Sequence, residues 1–340
     1  MTESFSKYVI SGGAGFIGSH LVDALLTDPT TREVRIVDNF TSGRREHLAA
    51  WESDTRLKVF TLDLLRLPEI VPVFEDIDCV YHLAANPDAR YGIENTRLDL
   101  ELETIATYHV LEAMRQTGSR HIILASSGTV YGDIGTEPAV ETRGPLLPTS
   151  LYGSGKVASE ALIAGFCGTF DFSAVILRFG NIVGERTTHG VIFDFIRKLS
   201  VNNRELQVLG DGHQAKPYVY VLDLVGAMRH VEKLLAKYGP RRCEVFNVAP
   251  SGATSVRFIA GTLLDRLGLG EKTKVMYQTT AFGWAGDIPQ SRMDATRLAQ
   301  HGYCLKRSSD EAVVTAVGAI VKWLETAPPS TGGLALPHRD

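Results

Sequence analysis

The 340-residue chain is poor in the features that mark several protein classes. It has four cysteines, Cys79, Cys167, Cys243 and Cys304, far apart and without a C-x-x-C. Reduced structural thiols in a cytosolic compartment are the expected reading. Ten histidines show no H-x-x-x-H and no Cys/His cluster, so no metal site is expected. There is no run of about 18 apolar residues, which argues against a membrane span. The start, MTESFSKYVI, leads into a strand-like segment without signal-peptide character. Basic residues form no cluster beyond pairs such as Arg44-Arg45 and Arg241-Arg242, and the net charge is -4. No nucleic-acid or membrane-surface partner is implied. Three tryptophans are too scattered for a stacking platform, and no internal repeat is found.

What is present is alternation. Short apolar runs at 7–13, 33–39, 56–64, 78–85, 120–127 and 173–184 read as strands, and 15–28 and 98–117 as helices. Strands alternating with helices predict an α/β fold of Rossmann type, a doubly wound parallel sheet with helices on both faces. Beyond about 185 the pattern loosens. Residues 189–202 and 223–238 read as helices, 206–212 and 218–224 as strands. We expect a dinucleotide-binding domain over 1–184, with 221–250 returning to it. A smaller, partly interleaved substrate lobe is expected over 185–325, and a flexible Pro/Gly-rich tail over 326–340.

The stretch 11-SGGAGFIGSH-20 places Gly12, Gly15 and Gly18 three apart, and Gly13 adds the register G-x-G-x-x-G. The glycines follow a predicted strand and open a predicted helix. Such a loop lets backbone approach a pyrophosphate, and the helix N-terminus offers N–H groups and a positive dipole end. Asp38 lies 20 residues after Gly18, where an acid can accept hydrogen bonds from the adenosine ribose. It would repel a 2′-phosphate, so NAD is expected; Arg44 and Arg45 keep NADP as the alternative.

Farther on, 125-ASSGTVYG-132 ends a predicted strand, and Tyr152 and Lys156 share a helical face four residues apart. A free phenol is a poor base near neutral pH; a nearby ammonium stabilises its phenolate. Ser127 could hydrogen-bond the same substrate oxygen.

GGAGFIGSH, DN-x-x-x-G at 38–43, HLAA at 82–85, SSGTVYG at 126–132, Y-x-x-x-K at 152–156 and RFGNIVG at 178–184 resemble the extended short-chain dehydrogenase/reductases. More narrowly they resemble the nucleotide-sugar epimerases and dehydratases, closest to the UDP-hexose 4-epimerases. The likeness continues through 209–225 and 282–303, in that family's motif order. The resemblance implies Tyr152 as base, Lys156 as the group that holds the nicotinamide ribose, and Ser127 and Thr129 at the substrate hydroxyl. It assigns Phe16, Ile17, Asn39, Asp63, Leu64, Leu83, Ala84 and Ala85 to NAD with the glycines and Asp38. Asn181, Lys216 and Arg292 fall to the substrate. Lys216 stands where many relatives carry arginine, keeping charge but losing the bidentate fork. Arg90 either meets a substrate carboxylate or packs on the surface. The family's 4,6-dehydratases need a carboxylate pair where this chain has Gly128 and Thr129, so a UDP-sugar 4-epimerase is the expected activity. Glucose/galactose, N-acetyl and glucuronate forms stay open. Glu103 replaces the usual asparagine. Either it faces solvent or a dimer contact, or it reaches the site and adds a protonation step, which would permit a 5,6-elimination. A ketone reductase and a non-catalytic dinucleotide sensor are the remaining alternatives. Helices 96–117 and 151–167 carry apolar faces beyond what one sheet needs, and the resemblance implies a homodimer through a four-helix contact.

Overall fold

The computed structural model describes residues 4–326 and 336–337, so most of the tail expected to be flexible lies outside the described residues. Seven strands make the central sheet: β1 (Lys7–Ser11), β2 (Glu33–Asp38), β3 (Leu57–Thr61), β4 (Cys79–His82), β5 (His121–Ser127), β6 (Ser173–Phe179) and β7 (Arg242–Val248). Their order is β7-β6-β5-β4-β1-β2-β3, and every pairing is parallel. The chain reverses direction across the sheet between β1 and β4. That switch point opens a crevice at the carboxyl ends of the strands, the usual ligand position in this architecture.

The inner strands are β-branched and aliphatic because both faces are covered. Period-two alternation then divides them. Tyr8, Ile10, Cys79, Tyr81, Ile123, Val175 and Leu177 pack on one face with α1 (Phe16–Thr27), and Val9, Val80, Ile122, Leu124, Ala174 and Ile176 pack on the other. The second face is covered by α2 (Ala106–Thr117) and α3 (Leu151–Phe170), through Val110, Leu111, Ile163 and Phe166. A third core joins α4 (Val191–Val201), α6 (Val256–Leu267) and α7 (Ser309–Thr326), with Phe195, Leu263 and Val317 among its buried members. Between them, α5 (Val221–Leu235) returns the chain to the first face, where Leu224, Met228 and Val231 pack beside α1, and β7 follows as the sheet's edge.

Several expected strands end early, those over 56–64, 78–85 and 206–212 at Thr61, His82 and Val208, and three further differences shape the fold. The strand over 173–184 stops at Phe179 and resumes as Asn181–Val183, pairing with Tyr218–Tyr220 instead of the sheet. Gly180 makes the break possible, because a Cβ there would lie 2.3 Å from the Pro217 carbonyl. The strand over 218–224 ends at Tyr220, and α5 begins at Val221. The helix over 98–117 is not uniform either. Residues Leu100–Ile105 form a π-helical segment before α2.

Candidate active site

The loop after β1 wraps tightly. Gly12 has φ +73°, and a Cβ there would lie 2.8 Å from Ala84 N. Gly18 passes so close to the loop that a Cβ would meet Gly12 O at 2.3 Å. The first turn of α1 has no side-chain cap at Gly15, so its N–H groups are left for a ligand. Asp38 closes this end. Its oxygens accept hydrogen bonds from Ala14 N (3.0 Å) and Phe40 N (2.8 Å), fixing the carboxylate. Burial pushes its pKa up. Arg45 is engaged elsewhere, stacked 4.3 Å over Phe40 and bonded to Thr61 Oγ1.

Above the cradle lies a cavity of about 730 Å³. Gly12, Gly15, Phe16, Ile17, Gly18, Asp38, Asn39, Asp63, Leu64, Leu83, Ala84, Ala85, Tyr152 and Lys156 all line it. An uncapped helix start facing a groove, with glycines that no side chain could replace, and a fixed carboxylate one strand away fit a dinucleotide such as NAD.

Ser127, Thr129, Tyr152 and Lys156 converge on the same cavity. Ser150 caps α3 by accepting from Gly153 N, and this sets Tyr152 on the first turn. Lys156 Nζ sits 5.5 Å from the Tyr152 ring centroid, one turn on. Thr129 donates to Ser127 Oγ through its N–H (3.2 Å) and its hydroxyl (3.0 Å). Burial pushes the Tyr152 phenol above its ordinary value, while Lys156 and the Ser127 hydroxyl pull it down.

Asn181, Lys216 and Arg90 line the cavity as well. Two of them are already partnered. Lys216 Nζ lies 2.5 Å from Asp287 Oδ1, and Arg90 forks onto Asp88. Arg292 does not reach the cavity. In the short strand Arg292–Met293, the Met293 sulfur turns toward Gly128, and alternation leaves Arg292 exposed on the other side. Glu103 also departs from both readings of it. It is 1% exposed, so it faces neither solvent nor a surface contact, and it does not line the cavity. It forms a 2.7 Å ion pair with Lys156.

Other lining residues were not singled out from the sequence as site residues. Asp88, Thr187, His189 and Asp194 come from loops or a helix start, and Trp284 and Asp287 from the segment after 280. Asp287 lay within a stretch that resembles the family, yet its pairing with Lys216 spans 71 positions. His82 and Ser11 form a buried pair at 2.6 Å.

The profile of the NAD dependent epimerase/dehydratase family matches residues 8–249. A putative UDP-glucose 4-epimerase of Methanocaldococcus jannaschii is 32% identical over 76% of this chain and 82% of its own length. A UDP-glucuronic acid decarboxylase of Xenopus tropicalis is 30% identical, over 65% of this chain and 52% of that protein. Among solved structures, a UDP-galactose 4-epimerase superposes with a TM-score of 0.82 at 34% identity, covering 93% of this chain and 99% of that one. The Thermus thermophilus UDP-glucose 4-epimerase in complex with NAD superposes with a TM-score of 0.79 at 27% identity, covering 92% and 98%. The chain belongs to the NAD dependent epimerase/dehydratase family, and NAD is its cofactor.

Proposed function

We propose that this protein is a UDP-sugar 4-epimerase, acting on UDP-glucose/galactose, an N-acetyl form or UDP-glucuronate through a 4-keto sugar. The observation that carries the reading is the convergence of Ser127, Tyr152 and Lys156 beside a cradle fitted to NAD, with Gly128 and Thr129 standing where the dehydratases need a carboxylate pair. Bound NAD supplies reversible hydride acceptance. Tyr152, as phenolate, takes the proton of the sugar 4-hydroxyl and returns it after the keto sugar has turned over. Ser127 holds the reacting oxygen, and Thr129 orients Ser127 by donating to it. Lys156 stabilises the phenolate by charge. Asn181 and Lys216 stand at the diphosphate side.

Dehydration finds less support. A side chain at position 128 would place its Cβ 2.7 Å from Met293 Sδ, so an acid there has no room without moving Met293. Glu103, the other acid considered for elimination, lies behind Lys156 and outside the cavity lining. The test is to incubate the purified protein with UDP-glucose, UDP-galactose and related sugars without added NAD, and to identify products by NMR. Interconversion at C4 supports the reading; a 4-keto-6-deoxy or alkene product overturns it. Tyr152→Phe should reduce turnover by at least about 100-fold, the scale of a lost acid–base group.

The same reading makes the protein a homodimer. Leu100, Ile105, Tyr108 and Leu151 are exposed apolar residues on the helices expected to meet across a two-fold axis. Light scattering should give twice the 37.1 kDa chain mass, and Leu100→Asp with Tyr108→Asp should halve it.

A further inference from the structure

Behind the site lies a buried cluster that the proposed chemistry does not use. Glu103 occupies the π-helical segment Leu100–Ile105, where the usual i→i+4 backbone pattern is displaced. Its carbonyl accepts from Ala106 N and also from the hydroxyls of Thr107 (2.5 Å) and Ser159 (2.9 Å). Gly155 on α3 lies against it; a Cβ there would come within 2.6 Å of Glu103 Cβ. The carboxylate is thereby delivered into the interior. Its Oε1 accepts from Asn86 N (2.9 Å), and its Oε2 lies 2.7 Å from Lys156 Nζ.

Lysine has three N–H donors. One goes to Glu103 Oε2, a second to the Ala125 carbonyl (3.0 Å), and the third is left on the cavity side. Glu103 and Lys156 are 1% and 3% exposed, so water screens their charges little. The groups facing Tyr152 are Lys156 on its own helix, Glu103 and Asp99 from the preceding helical run, and Ser127 from β5. His82 on β4 faces Lys156 and is neutral, its pKa lowered to about 3 by burial and by that ammonium. Asn86 Nδ2 donates to Asp99 Oδ1 (2.8 Å), which ties Asp99 to the same cluster.

We propose that Glu103 is a positioning residue for the reaction: it clamps Lys156 against Ala125, aims the remaining N–H into the cavity, and offsets the ammonium charge felt by Tyr152. Two consequences follow from electrostatics. With Glu103 charged, the Tyr152 phenolate gains less from Lys156 than a lone ammonium would give, so the base works at a higher pH. With Glu103 neutral, Lys156 acts uncompensated on the phenol, and the phenolate forms at lower pH.

The proposal rests on Tyr152 being the base, and the test separates the two. Phenolate absorbance is titrated in the full chain with NAD bound, against a Tyr152→Phe background, so no sugar is needed. Glu103→Gln should lower the Tyr152 midpoint by about one unit or more, whereas Glu103→Asp, which keeps the charge, should stay near the wild-type value. Glu103→Asn gives the same reading if the Gln variant does not fold. Where sugar turnover is found, the acid limb of kcat/KM should move with the absorbance midpoint. An unchanged or raised midpoint in the neutral variants, or an Asp variant that shifts as they do, overturns the proposal. A midpoint that moves as expected in a protein without sugar turnover would leave Glu103's role standing and remove the epimerase reading.

Discussion

Single residues in this molecule owe their behaviour to what surrounds them within a few ångströms. Asp38 was legible from spacing alone, 20 positions after Gly18, and the structure shows how its carboxylate is pinned by two backbone N–H groups. Replacing it with Ala removes those anchors and the acceptor proposed for the ribose. Asp38→Ala should purify with little bound NAD, which absorbance of the released dinucleotide would report; full NAD retention would contradict its placement. Glu103 was visible only as a departure. Whether an acid on a helix points outward or inward depends on the π-helical turn beneath it, and that turn is specified by contacts from Gly155, Ser159 and Thr107. Arg292 failed for a related reason. In a two-residue strand, one step of register decides which of Arg292 and Met293 faces in.

At the level of elements, the alternation of apolar runs gave the strands and the covering helices, because a parallel sheet buried on both faces needs continuous apolar runs. The misses fall where tertiary contacts overrule that pattern. Phe179 and Asn181 look like one strand, but the Pro217 carbonyl crowds Gly180 and turns the chain out of the sheet. The packing of α3 on the π-helical segment depends on Gly155 in the same way. Gly155→Ala should push the two apart and lower stability by about 1–3 kcal/mol, the usual cost of overpacking. Urea denaturation would measure it, and a neutral result would show that the contact relaxes freely.

For the whole molecule, acid should be the sharper stress. His82 and His47 are buried, with pKa values lowered to about 3 and about 4. A histidine whose folded pKa lies below its unfolded value contributes stability above the unfolded value. That stability is lost as pH falls from about 6.5 toward the folded value, because the unfolded chain takes up protons first. At pH 5 each would have forfeited on the order of 2 kcal/mol relative to neutral pH. The buried carboxylates of Asp38, Asp99 and Glu103 have raised values and act in the opposite sense, favouring the folded form as they protonate. Chemical denaturation at pH 7 and pH 5 should show the loss, and His47→Gln, which does not titrate, should lessen it. Equal midpoints at both pH values would contradict this account.

The return of the chain through α5 and β7 has a practical consequence for anyone dividing the protein. The glycine cradle, the helix that carries Tyr152 and Lys156, and Asn181 all precede residue 185, yet the sheet's edge strand and the helix beside α1 come after residue 220. A fragment of residues 1–184 would carry almost every residue proposed to hold NAD, but with β6 unzipped along one side and Leu21 and Leu25 stripped of Leu224 and Met228. Such a fragment should be insoluble when expressed alone and recoverable when the complementary piece is supplied in trans. A cut placed in the loop before α4 is therefore a natural position for a split reporter, one whose two parts regain NAD binding only on reassembly.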